Sequence, residues 1–87
     1  MRHTLKEVNF YLDRVNNILA NNGSEYRYIA TQSYGHKNLV LCYADTAKNG
    51  TGIVENVRGG LTTGQLYDIV YGIWTVLNRM SYEGIIH

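Results

Sequence analysis

The sequence predicts an α+β fold, a two-layer sandwich in the order α-β-β-β-α, with an antiparallel three-stranded sheet and two helices on one face. Three observations predict it. The two ends of the chain carry apolar residues at spacings of three and four, the period of a helix face. Between them lie three segments rich in Tyr, Ile, Val, Leu and Thr that alternate or run continuously apolar, as strands do. Short polar breaks join these segments, and short connections make neighbouring strands antiparallel.

The first helix opens at Thr4. Thr4 followed by Glu7 is a capping box, in which hydroxyl and carboxylate each accept a backbone amide that has no partner in the first turn. Leu5, Val8, Leu12, Val15 and Leu19 then form the buried stripe, widened by Tyr11 and Ile18. Asn21-Asn22-Gly23 ends the helix, with Gly23 suited to the left-handed position just past it. From Glu25 to Gln32, Tyr26, Tyr28 and Ala30 fall on one side and Arg27, Ile29 and Thr31 on the other, which reads as a strand. Residues Ser33 to Asn38 read as a turn in which Gly35 takes positive φ. Leu39 to Ala44 is the apolar run expected at the centre of the sheet. Asp45 to Gly52 reads as a polar loop with an Asn49-Gly50 hairpin signal, and Ile53 to Arg58 as the third strand.

Arg58 to Gly64 reads as the second break. Thr62 and Gln65 make a second capping box, and the last helix follows. Leu66, Ile69, Val70, Ile73, Leu77 and Met80 form its buried face, with an aromatic stripe of Tyr67, Tyr71 and Trp74 beside it. With the tyrosines divided between the sheet faces, part of the set is expected on the face away from the helices.

The 87 residues allow one domain, taken as 1–87, and nothing in the chain reads as a linker or repeat. Eight Lys+Arg against seven Asp+Glu give a net charge of +1, and the basic residues are scattered over different elements. That balance argues against a nucleic acid duplex as partner. No apolar run is long enough to span a bilayer, so no membrane partner is expected. The opening residues have no apolar core of a signal peptide, and the single Cys42 suits a reducing compartment. A cytoplasmic location is therefore expected. A domain this small buries a modest share of its surface and holds eight Tyr, so a homo-oligomer is expected.

The chain resembles short accessory proteins encoded by bacteriophages and prophages. The resemblance is carried by the Leu12–Asn17 stretch, by Tyr34-Gly35 before Leu39-Val40-Leu41, and by a Thr-capped terminal helix that continues Gln65-Leu66-Tyr67-Asp68. Members of that group usually have Glu where Gln65 stands and a small residue where His36 stands. The resemblance implies a phage accessory role in the host cytoplasm. It transfers no catalytic residue.

Residues able to carry chemistry fall into two groups. Arg58, Gly59, Gly60, Thr62 and Thr63 combine backbone that a ligand can approach, free amides at a helix start, two hydroxyls and a guanidinium. Such a set suits a phosphate, although the Gly-Lys-Ser/Thr ending of a P-loop is missing and a tight strand-to-helix turn with an ordinary cap explains the same residues. Tyr34, His36, Tyr67 and Tyr71 are the recognition candidates, because aromatic faces stack on purine rings; packing at the core edge or in a dimer contact is the plainer account of Tyr71. Cys42 lies in an apolar run where a thiol is inert packing. The three His are too scattered for zinc, so neither catalytic residue, metal nor cofactor is expected, and the chain is not read as an enzyme. Together these point to binding without turnover. In a phage setting, that means sequestering a small nucleotide-like, phosphate-bearing signal as a counter-defence protein. The alternative is a protein–protein inhibitor of a host defence protein.

Overall fold

The computed structural model describes residues 3–47 and 52–87. Five elements follow in order: α1 (Leu5–Asn21), β1 (Tyr26–Ser33), β2 (His36–Tyr43), β3 (Ile53–Leu61) and α2 (Thr63–Tyr82). The strands form one antiparallel sheet in the order β1-β2-β3. The chain reverses at each of its four connections, so α2 runs the same way as α1, with like ends together at His3–Tyr67 and Asn22–His87. The fold is α+β with both helices over one sheet face, as expected.

Both helices are closed by the expected boxes. Glu7 N–H donates to Thr4 Oγ1 (3.3 Å) and Thr4 N–H to Glu7 Oε1 (3.0 Å). Gln65 N–H donates to Thr62 Oγ1 (3.2 Å) and Thr62 N–H to Gln65 Oε1 (2.9 Å). Gly23 sits at φ 74°, where a side chain would be strained. A second carboxamide ties the two helix ends together: Asn22 Nδ2 donates to His87 O (2.8 Å) and its Oδ1 accepts from His87 N–H (2.8 Å).

The core lies between the layers. Val8 and Leu12 of α1, Leu39 of β2, Leu61 of β3, and Leu66 and Val70 of α2 form one buried cluster, with Tyr28, Ala30 and Val57 packed against it. β2 is the central strand, and Leu39, Val40 and Cys42 on it are all buried.

Two connections differ from the sequence reading. The β1–β2 connection is only Tyr34-Gly35, so His36, Lys37 and Asn38 are strand, not turn. A two-residue hairpin with positive φ at both positions (50° and 79°) has a twist that matches its strands, so pairing continues to Ser33↔His36. The third strand also runs past Arg58 to Leu61, and Gly59-Gly60 lie within it. The break falls after Leu61 because β3 accommodates its glycines as irregularities. Its register against β2 shifts at three places, so nine residues of β3 span six of β2. The Asn49-Gly50 turn signal lies outside the described residues.

The tyrosines also fall differently. Tyr26, Tyr28 and Tyr43 share the helix side of the sheet, because strand alternation groups them with Ala30 and Leu39. The outer face carries instead Arg27, Ile29, Thr31, Ser33, His36, Asn38, Val40 and Cys42.

Candidate functional site

Strand alternation builds the site. On the outer face, Thr31 and Ser33 of β1, His36, Asn38 and Val40 of β2, and Ile53, Asn56 and Gly60 of β3 line an open groove of about 470 Å³, with Tyr34 at its end. Its floor is apolar at Val40 and its walls are hydroxyls, amides and an imidazole. Asn38 is committed inside the protein: its Oδ1 accepts from Gly60 N–H (3.2 Å) and its Nδ2 approaches Thr31 Oγ1 (3.5 Å). It thereby bridges all three strands. A Cβ at Gly59 would stand 3.0 Å from Asn38 Oδ1, and Gly60 takes φ 67°. The pair of glycines is required by this bridge and by the irregularity in β3.

Tyr34 is the most exposed large hydrophobic side chain among the described residues, at 100 %. It is also the one non-glycine residue with positive φ among the described residues. Left-handed backbone costs a side-chain-bearing residue about 1–2 kcal/mol, and Asn or Gly would fit there with less strain. The hairpin therefore holds an aromatic ring in solvent, on strained backbone, at the mouth of the groove.

The sequence candidates divide among three places. Tyr34, His36 and Gly60 share the outer groove. Arg58 lies on β3 opposite Leu39, exposed and without an ion pair among the described residues, and it does not line the groove; Gly59 follows it. Thr62 is engaged in the cap of α2, and half-buried Thr63 follows it in the first turn. Tyr67 and Tyr71 sit in the helix layer. Their rings stack with centroids 5.7 Å apart, and the Tyr11 ring meets each edge-on at 5.8 and 5.1 Å. His3 stacks on Tyr67 at 3.6 Å. Burial pushes the Tyr67 phenol pKa up, helped by the neighbouring Tyr11. Tyr34 lines the outer groove, and neither Tyr67 nor Tyr71 does.

A larger hollow of about 550 Å³, lined by Thr75, Asn78, Arg79, Tyr82 and Glu83, is a gap between side chains at the end of α2 and its cap. It draws on no second element. Cys42 is fully buried, and desolvation raises its thiol pKa. That leaves it protonated and inert at neutral pH.

Sequence reading missed Thr31, Ser33, Asn38, Asn56 and Val40. The signal was available in part: strand alternation puts Thr31 and Ser33 on the side of β1 opposite Tyr28 and Ala30, and Asn38 and Val40 on the side of β2 opposite Leu39. The contribution of β3 was hidden by its register shifts. No helix among the described residues is long and apolar enough to cross a membrane. Comparison of the chain with family models, curated proteins and solved structures returned no match.

Proposed function

We propose that this chain is a non-catalytic recognition domain that binds a protein partner through its β1–β2 hairpin and outer sheet face. In the phage setting implied by its resemblance, it inhibits a host defence protein. The observation that carries the reading is Tyr34, a wholly exposed ring on positive-φ backbone. Tyrosine is favoured at protein interfaces because a rigid ring buries much area at little entropic cost. Residual strain at an exposed tip fits selection for contact in place of stability. The groove beside it is open and holds neither Lys nor Arg, which suits a protein surface better than a phosphate.

The test is capture from a bacterial lysate in high salt by the wild-type chain and by Tyr34→Asn. The expected result is a partner retained by the first and lost by the second. Equal retention by both overturns the reading.

A second reading keeps the nucleotide-like ligand. Tyr34, His36 and Gly60 do share one groove, with Asn56 offering an amide, and its size falls in the range of small-molecule sites. A groove so open needs walls from a second copy, so this reading carries homo-oligomerisation with it. Calorimetry with cyclic nucleotides and ADP-ribose isomers decides it. Heat of binding together with a dimeric or larger mass supports the reading, and absence of both removes it.

A further inference from the structure

We infer that the open half of the β1 edge, Ala30 to Gln32, is a strand-addition site for an extended acidic segment of the protein partner. The inference rests on the protein-recognition reading above.

The phase of backbone pairing comes first. Ala44 N–H donates to Glu25 O (2.8 Å), so odd residues of β1 face β2 with their peptide groups. Even residues, Tyr26, Tyr28, Ala30 and Gln32, turn theirs to the free edge. Side chains occupy the first two. Tyr26 N–H donates to Ser24 Oγ (3.1 Å) and Tyr26 O accepts from Arg27 Nη1 (2.6 Å). Tyr28 N–H donates to Asn16 Oδ1 (2.8 Å) and Tyr28 O accepts from Asn16 Nδ2 (2.9 Å). The Asn16 carboxamide of α1 thus acts as a one-residue mimic of a fourth strand. Ala30 and Gln32 have no such partner among the described residues. The opposite edge, β3, is kinked by its register shifts and makes a poor template. One straight, unblocked stretch is left, and it adjoins the Tyr34 hairpin.

Charge selects the occupant. A small cavity of about 120 Å³ beside this stretch is lined by Leu5, Asn9, Ala30, Thr31, Gln32 and Lys37. Lys37 pairs across from Gln32 and forms no ion pair among the described residues. Leu5 in the first turn of α1 adds an apolar wall to the same cavity. Asn9 lies two helical turns before Asn16 and brings a second carboxamide to the same edge. An added strand with a carboxylate facing Lys37 and an apolar residue against Leu5 fits this arrangement. Backbone hydrogen bonds to Ala30 and Gln32 supply affinity and side chains supply selectivity, as in other strand-addition complexes.

The test is amide NMR of the labelled chain titrated with an acetylated, amidated Val-Glu-Val-Glu-Val peptide and its Lys-for-Glu counterpart. The expected result is saturable shifts at the Ala30 and Gln32 amides with the acidic peptide only, weakened about tenfold by Lys37→Glu. Gln32→Pro removes an edge donor that β2 does not use and is expected to abolish the shifts. If that variant fails to fold, Lys37→Glu decides. Shifts mapping elsewhere, equal response to both peptides, or the same amides moving with protein concentration alone (a second copy on the edge) overturn the inference. Partner capture that depends on Tyr34 but not on Lys37 overturns this inference and leaves the functional reading standing. Failure of Tyr34→Asn to affect capture overturns that reading instead.

Discussion

Tyr34 and Glu7 show how single residues here balance stability against another demand. Tyr34 occupies left-handed backbone that Asn adopts with less strain. Tyr34→Asn is expected to stabilise the domain by about 0.5–1 kcal/mol while removing the exposed ring. Urea denaturation checks the gain, and a loss of stability would mean that the ring packs on the hairpin. Glu7 accepts the Thr4 amide, and that backbone hydrogen bond, aided by His3, holds its pKa below the ordinary carboxylate range. A depressed folded-state pKa gives stability that is complete above the unfolded value, about 4.3, and is lost as pH falls through the folded one. The melting temperature should therefore drop on acidification below that value. Glu7→Gln retains the cap geometry and should flatten this part of the profile, as a pH series of thermal melts will show.

Among the elements, the two sheet edges are protected by opposite devices. β3 is distorted within the strand, whereas β1 is straight and is covered from outside by Asn16. Removing that cover by Asn16→Ala exposes the Tyr28 peptide groups and lengthens the open edge from Ala30–Gln32 to Tyr28–Gln32. The direct cost is about 1 kcal/mol, since the freed groups face water. The larger expected effect is concentration-dependent self-association, read by sedimentation. A variant that stays monomeric would show that α1 shields the edge sterically without this carboxamide.

For the whole molecule, stability depends on one small cluster shared by both layers. Leu39 is fully buried at the centre of the sheet and touches residues of both helices through the cluster. Leu39→Ala is expected to cost about 2–5 kcal/mol, a large part of what a domain of this size possesses. Chemical denaturation should show a much lower midpoint with an unchanged slope. The layered arrangement also sets the functional geometry. With both helices on one face, the other face stays open, and recognition is left to the hairpin, the groove and the β1 edge.

Element identity was legible in the sequence because it follows from local rules. Two capping boxes and a stripe at helical spacing fix α1 and α2, and the apolar run from Leu39 identifies the central strand. Gly35 announced a turn, although not that the turn would consist of two residues with Tyr34 sharing the positive φ. The site was legible only for Tyr34, His36 and Gly60. Arg58, Thr62 and Tyr67 are near one another in the chain, yet strand, cap and helix layer carry them apart. Local chemistry determines which segments fold and where they end. Which residues meet is decided by register, by the extra residues of β3 and by the side of the sheet that the helices cover. Those depend on long-range packing, which the order of residues along a single segment does not record.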